Sequence, residues 1–352
     1  MLKEYSIHGF KSFDQVCVHL SNLNLFAGAN SAGKSTAIQA LLLAADNLEE
    51  EPGDRIMNFL HTPPLSFNEA RNYLINAKEY SVQLRPDDQE AISMRFSAAD
   101  DAFWRTGIHQ EGVPSERFYA LLCNNLLYLP ATRTWQLNNS SINPNVEKNP
   151  LGTQGEYIID YYYNHHEDLM PEELTFFPSV RTLEAQVNYW LHRLTGYRLT
   201  VEPDVSRYKV KFVTQDGKEL HPYHVGTGIS FIAELVITCL SCRSNGMVII
   251  ENPEIHLHPS AQADLIDFLA KVAGVNRQII VETHSDHLFN GIRRLLHKKE
   301  IGLEDVSVYN FIRTQQGLTE GKNIALSQQG GIRDYEPGMF EQFDKDLDEI
   351  LS

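Results

Sequence analysis

Hydrophobic and polar side chains alternate along residues 2–26, a pattern that predicts two strands leading into the glycine-rich loop that follows. The same alternation recurs at residues 80–84 and 91–96, on either side of a turn at Pro86, and predicts a β-hairpin. Residues 208–212 alternate as well and predict one arm of a further hairpin. The first two thirds of the chain is therefore expected to contain mainly antiparallel strands.

Apolar residues recur every three or four positions at residues 178–196, which predicts an amphipathic helix with Ser179 as its N-cap and Gly196 as its stop. The last third differs, because short apolar strands at 247–250 and 278–281 are each followed by a helical pattern. The helices are expected at 259–273 and 285–297, in that order. Strands that alternate with helices predict a parallel sheet covered on both faces.

Residues 28–36 read GANSAGKST, which fits the phosphate-loop pattern G-x-x-x-x-G-K-S/T between a predicted strand and a predicted helix. In that context backbone N–H groups and a helix N-terminus point at phosphates, Lys34 reaches the β- and γ-phosphates, and Ser35 binds Mg²⁺. The sequence therefore predicts an ATP and Mg²⁺ site. The expected nucleotide contacts from this loop are Gly28, Asn30, Gly33, Lys34, Ser35 and Thr36.

The fold class that follows is α/β, a P-loop NTPase with a mixed sheet and an inserted lobe. The phosphate loop and the late strands are distant in sequence but belong to one nucleotide-binding layer. We therefore predict a nucleotide-binding lobe from residues 1–50 and 215–352. Residues 51–214 are predicted to form an inserted lobe of antiparallel strands and helices, and no heptad repeat in it is long enough for a coiled-coil arm.

A second motif, VIIENPEIHLHP at residues 248–259, places a carboxylate at the end of a buried strand. Open parallel sheets bind ligands at the carboxyl ends of their strands, so Glu251 is expected to face Mg²⁺ or its water shell. Upstream, Gly226, Gly228 and Ser230 open an apolar helix, whose N-terminus is suited to an anion.

Two further residues are candidates for nucleotide contact. His284 follows the strand at 278–281 and could hydrogen-bond a γ-phosphate or an attacking water. Lys11, in the segment GFKSF at residues 9–13, is either a nucleotide contact or a solvated loop lysine, and the sequence does not decide between them.

The order of these motifs resembles that of ABC-type ATPase heads of the RecF, SMC and OLD (overcoming-lysogenisation-defect) branch. Within that branch the chain is similar to stand-alone ATPases of prokaryotic anti-phage defence systems. The segments 151–156 and 334–340 add to the likeness, which extends over nearly the whole chain.

The resemblance implies a head-to-head homodimer, or a higher homo-oligomer, that encloses ATP. Each nucleotide would lie between the phosphate loop of one protomer and Gly226, Gly228 and Ser230 of the other. ATP would favour the closed dimer and hydrolysis would open it. The reason is that a helix N-terminus aimed at the γ-phosphate binds ATP more tightly than ADP. A structure in which Ser230 is buried within its own subunit would contradict this arrangement.

The chain departs from the ABC-type pattern at Asn252, where most of these heads carry the glutamate that polarises the attacking water. Asparagine cannot accept a proton, so Glu254 or His284 must orient the water, and slow turnover is expected. The glutamine usual on the loop between the lobes is also missing. Asn68 or Gln83 could replace it.

Composition restricts the partners. The 352 residues carry 46 acidic and 30 basic side chains, a net charge of −16, so nucleic acid could be bound only through a local basic patch or a partner. No apolar run approaches the about 18–20 residues that span a bilayer, so no membrane association is expected. Four cysteines favour a reducing cytoplasm, and Cys239 and Cys242 are expected in the core.

Only a short acidic segment follows the helix after His284, so no nuclease of its own is expected, although the OLD proteins carry one. Residues 164–166, Asn-His-His, are interpreted as a polar helix end.

The favoured hypothesis is thus an ATP-gated switch that controls a separate effector, a nuclease or toxin, in anti-phage defence. The alternative is a RecF-like repair ATPase that binds DNA. Its basic patch, which is equally typical of an ordinary helix end, comprises Arg293, Arg294, His297, Lys298 and Lys299.

Overall fold

The computed structural model describes residues 1–132, 143, 150–205, 207–333 and 349. The segment 334–340, on which part of the family likeness depends, lies outside these residues.

The N-terminal strands form a six-stranded antiparallel sheet with the strands of the middle of the chain. Its spatial order is β2-β1-β5-β6-β7-β4. The strands are β1 (Leu2–His8), β2 (Gln15–His19), β4 (Gly53–Ile56), β5 (Glu79–Pro86), β6 (Ile92–Ala98) and β7 (Thr106–Glu111). The predicted hairpin is confirmed, since β5 and β6 pair antiparallel with Val82 opposite Met94.

A second six-stranded sheet, the central sheet, has the order β15-β14-β3-β13-β12-β8. Its strands are β3 (Leu23–Gly28), β8 (Leu126–Leu129), β12 (Met247–Glu251), β13 (Gln278–Glu282), β14 (Val306–Arg313) and β15 (Thr319–Asn323). Five of them run parallel, and β15 pairs antiparallel at one edge. The predicted parallel sheet is confirmed, and β3 lies inside it between β13 and β14.

A small third sheet contains β9 (Arg198–Asp204), β10 (Arg207–Val213) and β11 (Glu219–Leu220). The helices of the described chain are α1 (Lys34–Asp46), α2 (Phe67–Ala70), α3 (Glu116–Cys123), α4 (Ile158–His165), α5 (Leu183–Thr195), α6 (Thr227–Ser241), α7 (Pro259–Ala273) and α8 (Asp286–His297). None of these described helices exceeds 15 residues, and none is both long and apolar enough to cross a bilayer.

Successive residues of the central sheet point into two different cores, because side chains alternate across a strand. On β12, Val248 and Ile250 pack into a core with α4–α8, whereas Met247 and Ile249 pack into a core with α1, α3 and the antiparallel sheet. Both faces are covered, which explains why β12 and β13 are buried at every position.

The predicted lobe boundaries at residues 50 and 215 do not coincide with the sheets. β1 and β2, assigned to the nucleotide-binding lobe, belong to the antiparallel sheet, whereas β8, assigned to the inserted lobe, pairs with β12. Long-range strand pairing of this kind leaves no composition shift in the sequence that could have indicated it.

The amphipathic helix predicted at residues 178–196 is confirmed as α5, which begins later than predicted, at Leu183. Thr182 caps it, because its hydroxyl accepts the Ala185 N–H at 3.3 Å, so the predicted cap Ser179 is wrong. Gly196 ends the helix in the left-handed conformation (φ 81°), as predicted. Cys239 and Cys242 are buried and form no disulfide, as expected of core residues.

Candidate functional site

The phosphate loop connects β3 to α1 in a conformation that requires its glycines. Gly28 and Gly33 have φ values of 138° and 111°. A Cβ on Gly28 would lie 2.3 Å from the Phe311 carbonyl oxygen, and one on Gly33 would lie 2.6 Å from the Thr319 side chain. Both the dihedral angles and the close approach of β14 and β15 therefore exclude a larger residue.

Lys34 and Ser35 begin α1 and bind partners on opposite sides of the loop. The Lys34 Nζ donates to the Gly28 and Ala29 carbonyls, both at 2.9 Å, which holds the ammonium over the loop. Burial lowers the pKa of Lys34, and the nearby Glu282 and Glu254 oppose that shift. The Ser35 Oγ donates to Glu282 Oε1 at 2.8 Å.

A cavity of about 620 Å³ opens at this loop, a size suited to a nucleotide. Seven residues predicted from the sequence line it together: Lys11, Asn30, Gly33, Lys34, Ser35, Thr36 and His284. Gly28 lies at the start of the loop, where its carbonyl oxygen accepts a hydrogen bond from Lys34 Nζ. The structure thus brings together positions that span most of the chain.

Glu251 and Glu282 end the neighbouring strands β12 and β13 and are direct register partners. Both are buried, at 8% and 4% exposed. Glu251 is held in place by its own partners, because its two oxygens accept from the Tyr128 hydroxyl and the Ala131 N–H, each at 3.0 Å. The carboxylate that bonds Ser35 is Glu282, which no motif had indicated. Glu251, the acid expected to face Mg²⁺ or its water shell, lies beside it on β12.

Burial raises the pKa of Glu282 to about 7, with a further contribution from the adjacent Glu251, while Ser35 and Lys34 counteract. Its second oxygen, Oε2, is buried and has no hydrogen-bond partner in the described structure. Asn252 Oδ1 and Glu254 Oε2 share this property. Buried oxygens without partners are costly, which indicates that this strand edge is built to receive a ligand.

Glu254 and His284 are neighbours at the rim. Glu254 Oε1 accepts the His284 N–H at 2.8 Å, so the two predicted water-positioning residues lie together. Burial and the Lys34 ammonium lower the pKa of His284, which keeps its imidazole neutral near pH 7. A neutral imidazole can donate or accept a hydrogen bond without adding charge.

Lys11 occupies the rim of the cavity. It adopts a left-handed conformation (φ 49°) in the turn between β1 and β2, and its N–H donates to the Ala70 carbonyl at 2.7 Å. Its Nζ donates to Gln39 Oε1 at 2.6 Å, and burial lowers its pKa. The structure therefore favours a held lysine beside the cavity over a freely solvated one.

The helix-opening signature does not lie in this cavity. Ser230 is 0% exposed, and its Oγ has no hydrogen-bond partner among the described residues. Gly228 is also buried, against the His256 carbonyl. The prediction that Ser230 contacts a neighbouring nucleotide is wrong, because the residue faces the core one turn inside α6. The exposed residues at this helix start are Gly226 and Thr227.

Several lining residues were not predicted. Glu282 could have been suspected, since it ends a buried strand just before His284. Glu69 in α2, Arg71 and Tyr73 just after α2, and Arg313 at the end of β14 also line the cavity, and none of them belongs to a motif. Asn68 and Gln83, suggested as substitutes for the missing glutamine, are outside this described lining.

The basic patch is partly occupied by the chain itself. Arg294 donates to the Ala263 carbonyl and pairs with Asp267, while Arg293 donates to the Gly330 carbonyl. At residues 164–166, the histidines end α4 and bond to Asp168 and the Tyr163 carbonyl, as a polar helix end does.

A phosphate loop on an inner strand of a mostly parallel sheet, with acids at the ends of the adjacent strands, defines a P-loop ATPase of the ABC-head type. Residues 23–290, most of the chain, match the family described as "AAA domain, putative AbiEii toxin, Type IV TA system", and the chain belongs to that family. No curated protein is significantly similar in sequence.

Solved structures of SMC heads share the fold. The SmcHead bound to the C-winged helix domain of ScpA has a TM-score of 0.60 at 13% identity, covering 93% of this chain and 98% of that one. The SMC head domain from Thermotoga maritima has a TM-score of 0.51 at 13% identity, over 92% and 99%. The Smc head with an extended coiled coil, bound to the C-terminal domain of ScpA and derived from Pyrococcus furiosus, has 0.57 at 13%, over 100% of both chains.

Proposed function

We propose that this protein is a Mg²⁺-dependent ATPase that dimerises around ATP and controls a separate effector, a nuclease or toxin, in anti-phage defence. The observation that carries the proposal is the cavity in which Lys34, the Ser35–Glu282 pair and His284 surround one phosphate loop. The family supports the ATPase activity, and its description supports a toxin or defence context.

The residues at the strand ends fit Mg²⁺. A hydroxyl and carboxylates are the oxygen ligands that this ion prefers, and the partnerless Glu282 Oε2 is a buried acceptor directed at the site. Ser35 and Glu282 would hold the ion, with Glu251 beside them. Bound Mg²⁺ would neutralise charge on the phosphates, which a cavity lined by the carboxylates of Glu69 and Glu282 needs in order to accept a polyanion.

The hydrolytic role falls to Glu254 and His284. Asn252 cannot take a proton, whereas Glu254 keeps one free oxygen while the other is fixed by the His284 N–H. In this proposal Glu254 orients the attacking water, and the neutral imidazole of His284 hydrogen-bonds the γ-phosphate. An orienting pair without the usual glutamate is consistent with slow turnover.

The dimer interface is proposed at the start of α6. With Ser230 buried, the contact to a partner's nucleotide depends on Gly226 and Thr227, which are exposed at the positive end of the helix dipole. No acidic side chain occupies the first turn of α6 to repel a phosphate. ATP would thus join two protomers more strongly than ADP does.

Control of an effector is proposed from two observations. The net charge of −16 disfavours nucleic acid as the direct partner, and SMC heads of the same fold are known bound to a domain of ScpA, another protein. The cysteines favour a cytoplasmic site of action. The alternative, a RecF-like DNA-binding ATPase, is weakened because Arg293 and Arg294 are held by the chain's own acceptors.

Light scattering on the purified full chain tests the switch. The mass should double with ATP and Mg²⁺ but not with ADP. Lys34→Ala should weaken ATP binding at least about a hundredfold and remove the mass change. Salt-sensitive binding of duplex DNA that is lost on reversing the charges of Lys298 and Lys299 would instead support the repair ATPase. Co-purification with the product of a neighbouring gene, without DNA affinity, would support the effector switch.

A further inference from the structure

A second cluster of metal-ligating side chains lies outside the nucleotide cavity, on the outer face of β1 and β2. Glu4 lies directly opposite His19 in the antiparallel register, and Cys17 is two residues from His19 on the same face. One ligand atom from each side chain lies within 4.8 Å of the others, and Glu4 Oε2 is 2.9 Å from His19 Nε2. Cys17 and His19 are exposed, so an ion can reach them from solvent.

Neighbouring groups orient two of these side chains toward the cluster. The Tyr309 hydroxyl lies 3.4 Å from His19 Nδ1 and also accepts the His19 backbone N–H at 2.7 Å. This places Nε2, the other ring nitrogen, on the side of the cluster. Arg85 Nε lies 3.4 Å from Glu4 Oε1, which leaves Oε2 directed at His19. Metal-binding histidines and carboxylates are commonly fixed by partners of this kind.

The donor set selects the class of ion. A thiolate, an imidazole and a carboxylate suit Zn²⁺ and related transition metals, whereas Mg²⁺ prefers oxygen ligands alone. Tetrahedral Zn²⁺ places its ligand atoms about 3.4–3.8 Å apart, so the cluster would contract by about 1 Å through side-chain rotation. Three protein ligands would leave the fourth position to water.

We propose that Glu4, Cys17 and His19 form a binding site for a Zn²⁺-class ion, separate from the Mg²⁺–ATP site. The ion crosslinks β1 to β2, whose connecting turn carries Lys11 and Ser12 to the rim of the nucleotide cavity. It thereby stiffens one wall of that cavity without contacting the nucleotide.

Co²⁺ is a suitable probe, because its spectrum reports both thiolate ligation and tetrahedral geometry. Titration of the reduced, metal-free full chain should give one equivalent with a thiolate-to-cobalt charge-transfer band, and Zn²⁺ should displace it. Cys17→Ser should remove the band, and Glu4→Gln and His19→Ala should each weaken Co²⁺ binding at least about tenfold. Cys123→Ser and His8→Ala are matched controls and should leave the titration unchanged.

A band that survives in Cys17→Ser, or an affinity that Glu4→Gln and His19→Ala both leave unaltered, would overturn the site. Thermal melts of the same variants show that they are folded. Because ATP binding and Co²⁺ binding are measured separately, failure of the metal site is distinguishable from failure of the proposed ATPase.

Discussion

At the scale of single residues, the central feature of the nucleotide site is the hydrogen bond between Glu282 and Ser35. The carboxylate is buried, bonded to the hydroxyl that begins α1, and adjacent to Glu251 across the strand pair. Burial raises the pKa of Glu282, and the neighbouring Glu251 carboxylate raises it further, so Glu282 holds its proton to an unusually high pH. A cation between the loop and the strand ends would remove that penalty.

Glu282→Gln is therefore expected to change how stability depends on pH. The folded protein raises the pKa of Glu282 from 4.5 to about 7, so the stabilisation it gives is fully present below pH 4.5 and is lost as the pH rises through about 7. Relative to the wild type, Glu282→Gln should gain stability between pH 5 and pH 8, by up to about 3 kcal/mol. Urea unfolding in a chelating buffer measures this, and parallel profiles for the two proteins would contradict it.

Lys34→Ala should reduce ATP affinity by at least about a hundredfold. The ammonium lies over the phosphate loop, bonded to the Gly28 and Ala29 carbonyls, and in the proposal it contacts the β- and γ-phosphates. Lys11→Ala, at the rim, should cost about tenfold or less. Isothermal titration with ATP and Mg²⁺ gives both values. An equal loss for the two variants would mean that the phosphates do not lie over the loop.

At the scale of elements, the phosphate loop is supported by the β14–β15 hairpin and the β1–β2 turn. The Thr319 N–H donates to the Ser12 carbonyl at 2.8 Å, its hydroxyl donates to Ser12 Oγ at the same distance, and its side chain lies against Gly33. The loop conformation thus depends on contacts from both ends of the chain.

Gly33→Ala should lower the melting temperature and abolish ATP binding. Its new Cβ would collide with Thr319 at 2.6 Å in a left-handed conformation that itself costs about 1–2 kcal/mol. Gly107→Ala is the control, since its Cβ would meet only ordinary contacts at 3.7 Å or more. Thermal melts and ATP titration compare them, and an unchanged Gly33→Ala protein would show that the loop is not held by Thr319.

The start of α6 gives a second prediction at this scale. Thr227→Glu places a negative charge where the partner's γ-phosphate is proposed to bind, so the ATP-dependent increase in mass should disappear. Ser230→Ala should leave it intact and be neutral or slightly stabilising, because it removes a buried hydroxyl that lacks a partner in the described structure. If Ser230→Ala lost the dimer and Thr227→Glu kept it, Ser230 and not Thr227 would be the residue that contacts the partner's nucleotide.

At the scale of the whole molecule, two cores share one sheet, and the strand ends between them carry the site. The acids Glu251 and Glu282 end two neighbouring buried strands of that sheet. The next residue, Asn252, stands where most ABC-type heads carry the glutamate that activates water. Turnover is accordingly expected well below the about 10 per second typical of enzymes. A phosphate-release assay measures it, and many turnovers per second with Glu254→Gln unaffected would contradict the assigned roles.

The sequence by itself determined the local features. The phosphate loop, the strand before it, α5, α7, α8 and the acid at the end of β12 were predictable, because periodicity and glycine spacing reflect neighbouring residues. The α/β class followed from the alternation of strands and helices in the last third.

Tertiary structure alone decided which distant segments meet. Pairing of β1 with β5 and of β8 with β12 depends on contacts more than 70 residues apart, which no local pattern encodes. For the same reason the sequence indicated Glu251 as the acid facing Mg²⁺ without singling out Glu282, and it placed Ser230 at a surface. Which face of a helix is buried, and which of two adjacent carboxylates reaches the loop, is settled only when the cores pack.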